Sequence, residues 1–105
     1  MELAVYWTKF AEDKLEDVFS YYIEKASEKI ALHLVNDIID KSLELEKNPL
    51  IGQKEMLLSD RIQEFRYLVY KNYKIIYWVN EANQRVEIVN LFDCRQNPLA
   101  LEFFV

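Results

Sequence analysis

Apolar residues recur along this chain with two different periods, and the change of period divides it. From Ala11 through Leu15, Val18, Phe19, Tyr22, Ile23 and Ala26 the spacing is three and four, while Asp13, Lys14, Glu16 and Asp17 take the opposite side. That pattern predicts an amphipathic helix of about five turns. Thr8 stands before it with a hydroxyl suited to an N-cap. Ser27 offers the same cap to a second helix, with Glu28 in its first turn. Ile30, Ala31, Leu34, Val35, Ile38, Ile39 and Leu45 give the second helix a broad apolar arc, wide enough for two covers. Asn48-Pro49 ends it, because proline disfavours helical geometry in the residue before it. With almost no linker between them, the helices are expected to form an antiparallel hairpin.

The other period is two. Leu3-Ala4-Val5-Tyr6-Trp7 reads as a first strand. Phe65 to Pro98 is crowded with aromatic and β-branched residues broken only by polar turns, and reads as three antiparallel strands. Lys71-Asn72 is short enough for a tight hairpin, with Asn tolerating positive φ. Asn80 to Gln84 makes a longer turn. Alternation puts Phe65, Tyr67 and Val69 on one face of the first of these strands, and Glu64, Arg66, Leu68 and Tyr70 on the other. If the first set packs on the helices, Arg66 projects from the uncovered face. The last strand buries either Val86, Ile88 and Phe92, or Val89 and Leu91, both faces being largely apolar. Pro49 to Arg61, with the only glycine, Gly52, reads as a surface loop whose Met56-Leu57-Leu58 tucks onto the core. The expected fold is α+β: a two-helix antiparallel hairpin on one face of a small, mainly antiparallel four-stranded sheet, in the order β-α-α-β-β-β. One domain is expected over residues 1–105.

Charge sharpens this picture. The net charge is -5, and residues 1–48 carry all of it, with six Lys and Arg against eleven Asp and Glu. Residues 49–105 carry seven of each, and Arg66, Lys71 and Lys74 lie in the strand region with no carboxylate between them. A chain without a basic excess is a poor nonspecific nucleic-acid binder, because neutralised phosphates drive that affinity. A local cationic patch remains. The single cysteine, Cys94, suits a reducing cytosol. No stretch approaches the roughly 18 apolar residues of a membrane span, and the first residues lack a leader's pattern. A cytoplasmic protein with no membrane partner is expected.

The usual catalytic sets are missing. One glycine cannot make a phosphate-binding loop, and one His and one Cys cannot make a zinc site. His33 reads as a helix-flank residue and Cys94 as a small filler beside the strand end. No metal or cofactor is expected. What remains is Arg66, Lys71, Lys74 and Arg95, interleaved with Tyr67, Tyr70, Tyr73 and Tyr77. Cations beside aromatic platforms grip phosphates while bases stack. RNA cleavage would use them to stabilise developing negative charge, with Glu64 as a base on the strand face of Arg66. The bland alternative is that the tyrosines are core and the cations a solvated rim.

The whole chain resembles the RelE/ParE superfamily of bacterial toxins, which are encoded beside an antitoxin. The residues carrying the likeness are Trp7-Thr8 and Ala11, Asn48-Pro49 and Gly52, and Arg66-Tyr67-Leu68. Tyr73-Lys74-Ile75-Ile76-Tyr77 and the terminal Phe92-Asp93-Cys94-Arg95-Gln96-Asn97-Pro98 complete it. The resemblance implies the toxin of a type II toxin–antitoxin, or plasmid stabilization, system. In RelE-like members, ribosome-dependent endoribonucleases that cut mRNA, Arg66, Arg95 and Lys74 would be catalytic, with Glu64. In ParE-like members, which poison DNA gyrase by binding, Arg66, Lys71, Tyr73, Lys74 and Arg95 would touch the target. Leu99 to Val105 holds no Tyr, His or Lys, so the general acid of a RelE-like enzyme is missing from its place. That departure and the acidic charge favour the ParE branch. An inactive toxin-fold binding module is the third reading. The implied partner is a cognate antitoxin, and the apolar residues Leu99 to Val105 or an uncovered sheet edge would contact it or a second copy in a homodimer.

Overall fold

A computed structural model describes residues 2–97 and Ala100. The chain forms β1 (Ala4–Trp7), α1 (Lys9–Lys25), α2 (Glu28–Leu43), β2 (Gln53–Lys54), β3 (Arg66–Tyr70), β4 (Tyr73–Asn80) and β5 (Arg85–Asp93), with 3₁₀ turns at Glu44–Glu46 and Met56–Leu58. Both helix starts follow from their caps. Thr8 Oγ1 accepts from the Ala11 N–H at 3.3 Å, and Ser27 Oγ from the Ile30 N–H at 3.1 Å, each occupying a donor the helix leaves unpaired. The Thr8 hydroxyl also donates to Ile88 O at 3.0 Å, which ties the start of α1 to β5.

The sheet has five strands in the order β1-β5-β4-β3-β2. β1 runs parallel to β5, and every other pair is antiparallel. The expected class therefore stands, with one strand more than the pattern predicts. That strand, β2, lies inside the stretch read as loop and pairs only Gln53 with Tyr67 and Lys54 with Arg66. Two residues carry no period, so nothing in the hydrophobic pattern marks them. Of Met56-Leu57-Leu58 only Leu58 is buried. Met56 is 70% and Leu57 37% exposed, so the tuck is a single side chain.

Which face meets the helices is settled by Leu68. It packs with Ala11, Leu34 and Ile38 of the hairpin and with Ile75 and Tyr77 of β4, and Tyr70 joins the same cluster. Phe65 and Tyr67 lie on the other face with Leu58, Ile76 and Phe92. Val69 is exposed. The helix-facing set is thus the reverse of the one that would project Arg66 from the uncovered face. On β5 neither expected set holds, because the register shifts between Ile76 and Tyr77. Val86, Ile88 and Leu91 face the helices, while Val89 and Phe92 face away. An irregularity of one residue between Ile88 and Leu91 changes the phase of the strand. The hairpin turn is also shifted: positive φ (52°) falls on Lys71, not Asn72.

Candidate functional site

The candidate residues fall into three groups, separated by the sheet itself. At the β3–β4 turn Lys71 and Asn72 sit above Tyr73, which pairs with Asp93 on β5. Asp93 is the hub here. Its carboxylate accepts from Arg95 Nη2 at 2.7 Å, from the Arg95 backbone N–H at 2.9 Å and from Asn72 Nδ2 at 3.1 Å. Tyr73, expected to touch a target, is 4% exposed and packs in the core with Tyr22. Beside this end, a groove of about 530 Å³ opens between α1 and the last residues of β5, lined by Phe10, Lys14, Tyr21, Tyr73, Leu91 and Arg95 among others.

The second group lies at the far end of β3. Arg66 donates from Nη1 to Gly52 O at 2.9 Å and from Nη2 to Glu64 Oε1 at 2.7 Å. Glu64, the candidate base, is thereby an ion-pair partner. Gly52 N–H in turn donates to Tyr77 Oη at 2.9 Å. A guanidinium fork, a glycine peptide and a buried phenol close the loop onto the sheet.

Lys74 forms the third group, on the face away from the helices. Its Nζ donates to Glu55 Oε2 at 2.7 Å and lies 4.3 Å from the centroid of the Tyr67 ring. The Glu55 side chain is only 3% exposed, and its other oxygen accepts from the Leu57 N–H. Cys94, expected as a filler, stands in an exposed turn with its N–H donating to Asn72 O at 2.7 Å. Burial raises the pKa of its thiol, the opposite of an activated nucleophile.

These placements bear on chemistry. Arg66 pairs with Tyr77 on β4, whereas Arg95 follows the residue paired with Tyr73. Four strand residues are roughly 13 Å at the usual rise. Lys74 points to the face opposite Leu68 and Tyr77. Arg66, Lys74 and Arg95 therefore do not converge on one point, and each has a carboxylate of its own. The sequence reasoning missed Glu55 and the bond from Gly52 to Tyr77. It also missed a stack of Arg85 on Tyr6, 4.2 Å from the ring centroid, with Arg85 Nε on Glu87 at 3.0 Å. Only Glu87, two residues from Arg85, had a signal in the alternation. The apolar residues Leu99 and Leu101 to Val105 lie outside the described residues.

The Arg95 guanidinium holds the Asp93 carboxyl down to about 2, helped by the Arg95 N–H and the Asn72 amide. A depressed carboxylate contributes stability that is present above the ordinary aspartate pKa near 4 and is lost as pH falls from about 4 to about 2. Denaturant unfolding across that window should show a loss in the wild type that Asp93→Asn lacks; parallel curves would contradict the assignment. Burial, and after it the neighbouring Tyr22 phenol, push Tyr73 up to about 12.

A helical hairpin on a mixed five-stranded sheet is shared with solved structures of toxin–antitoxin systems. The structure described as the chromosomal ParDE toxin–antitoxin system from P. aeruginosa superposes with a TM-score of 0.72 at 18% identity. It covers 88% of this chain and 96% of that one. The RelBE2 toxin–antitoxin complex from Mycobacterium tuberculosis does so with a TM-score of 0.62 at 14% identity, covering 89% and 92%. Among curated proteins none matches in sequence. The family model described as the ParE toxin of the type II toxin–antitoxin system parDE matches residues 5–98. The chain belongs to the ParE toxin family and is a toxin of the type II toxin–antitoxin class. Among the described residues no helix is long and apolar enough to cross a membrane.

Proposed function

We propose that this toxin acts in the cytoplasm by binding, with DNA gyrase as its target, and that a cognate antitoxin holds it in check. One observation carries the reading: Arg66, Lys74 and Arg95 are each paired at 2.7 Å with a carboxylate of the chain itself. To stabilise the charge that develops when a 2′-hydroxyl attacks phosphorus, such cations must face a common point and be unoccupied. Here they lie on different faces and ends of the sheet. General acid–base chemistry also wants groups with pKa values near neutrality, and the shifts at this site run away from it, Asp93 downward and Tyr73 upward. A surface that recognises a protein has no such requirement. Family membership and the two toxin–antitoxin neighbours support the antitoxin as partner.

Induced expression without the antitoxin should arrest growth and leave gyrase trapped on cleaved DNA, read from plasmid topology and recovered gyrase–DNA complexes. Growth arrest with gyrase supercoiling untouched would sink the gyrase assignment.

A further inference from the structure

One corner of the sheet's helix-free face carries side chains that the core does not use. Tyr6 on β1 and Trp78 on β4 both pair with Glu87 on β5, so the three form a row across neighbouring strands. Their neighbours along the strands, Val5, Trp7, Tyr77, Val79 and Ile88 among them, pack toward the helices, and alternation turns the row to the other side. Tyr6 is 43% exposed and Trp78 half-buried, and neither belongs to a core cluster. Arg85, two residues before Glu87, shares their face. Its guanidinium lies 4.2 Å from the centroid of the Tyr6 ring, and its Nε donates to Glu87 Oε2 at 3.0 Å. Asn80 Nδ2 donates to the same oxygen at 2.8 Å. Among the described residues, Arg85 Nη1 and Nη2 and Glu87 Oε1 have no hydrogen-bond partner. A donor fork held in place thus stands beside an unused acceptor.

We propose that this corner is a two-fold interface at which a second copy of the chain docks face to face. Self-complementarity selects that occupant. Arg85 and Glu87 are neutral together, so a partner of one charge sign gains nothing over the pair, and a phosphate backbone would need successive unpaired cations. A two-fold contact needs a patch that answers itself, and a free donor beside a free acceptor does so. The register gives the geometry. An axis lying between the copies and crossing β5 at Val86 sets each Arg85 fork over Glu87 Oε1 of the other copy. Ala4 pairs with Arg85 and Tyr6 with Glu87, so the same axis sets each Tyr6 ring over Ala4 of the other copy. Ala4 is exposed and small enough to admit the ring. Trp78 adds flat aromatic area beside the charge pairs, and Trp, Tyr and Arg are the side chains that carry most such contacts. The groove beside Asp93 and Arg95 stays open. Asp93 stands at the other end of β5, roughly 25 Å away at the usual rise, and α1 packs on the opposite face.

The test is sedimentation equilibrium of the purified chain from micromolar to millimolar concentration. The wild type should shift from the monomer mass toward twice that mass. Arg85→Glu and Glu87→Arg should each weaken association about tenfold or more, because each sets like charges against each other across the axis. The double variant Arg85→Glu/Glu87→Arg restores opposite pairs and should recover most of that loss. Ala4→Arg fills the seat of the Tyr6 ring from an exposed position. It should abolish the dimer while leaving the thermal midpoint unchanged at concentrations where the wild type is monomeric, which covers a charge reversal that disturbs the fold. Lys54→Glu, at the β2 edge, should leave association within about twofold, because surface charges far from a contact matter little. A wild type that stays monomeric to millimolar concentration overturns the inference. So does a dimer that survives Ala4→Arg, one that Lys54→Glu dissolves equally, or a double variant that recovers nothing. A monomer whose antitoxin binding fails in Arg85→Glu would name the antitoxin as occupant and likewise overturn it. Toxin activity is not required for this contact, and none of these outcomes decides it.

Discussion

Replacing Gly52 with alanine should cost this protein on the order of 2–4 kcal/mol of stability, the combined scale of overpacking a tight site and disturbing a buried hydrogen bond. A Cβ built at position 52 lies 2.6 Å from Tyr77 Oη and 2.7 Å from Tyr67 O. The first contact is a buried phenol and the second is backbone, so neither yields easily. The Gly52 N–H donates to Tyr77 and the Gly52 carbonyl accepts from Arg66, so any retreat of the loop strains both bonds. Urea unfolding of Gly52→Ala should show a lower midpoint at unchanged slope. Tyr77→Phe alone should cost about 1–3 kcal/mol, because it leaves a buried Gly52 N–H without its acceptor. The double variant should cost less than the sum, since removing the phenol oxygen also removes the nearest clash. Strictly additive losses would show that the two positions do not share one contact.

The second large effect concerns Lys74 and Glu55. Glu55 is almost fully enclosed, and Lys74 is its only cationic partner among the described residues. Lys74→Met should destabilise the fold by about 3–5 kcal/mol, because it strands a buried carboxylate. Adding Glu55→Gln should recover most of that loss, since a neutral amide needs no counter-charge and still accepts from the Leu57 N–H. If Lys74→Met costs nothing, the ion pair does not form in solution. In that event Lys74 would also be free for a target, which links this stability measurement to the functional reading.

How much of this was legible in the sequence depends on period. α1 and α2 were readable from their spacing and from Thr8 and Ser27, whose side chains do cap them. β3, β4 and β5 were readable from aromatic and β-branched residues. Faces were less so. Leu68 and Tyr67 are both apolar enough for a core, and both are used, one on each side of the sheet. The register shift opposite Ile76 left no mark in the pattern, so the faces of Val89 and Leu91 stayed open. The cations were found, but their partners were not. Arg66 and Glu64 are neighbours in sequence, whereas Glu55 is 19 residues from Lys74 and its position depends on a loop closed by Gly52. A carboxylate brought in by a loop gives no periodic signal. For that reason a patch that reads as +3 along the chain is largely neutralised in space.

The claim that this toxin binds and does not cut is tested most directly on RNA. Transcript 5′ ends should be mapped after induction of the toxin without its antitoxin, beside a culture carrying the empty vector. Arg66, Lys74 and Arg95, held apart and paired, predict no new 5′ ends within translated messages while growth is arrested. New ends inside coding regions, lost when Arg66 and Arg95 are both replaced by alanine, would contradict it.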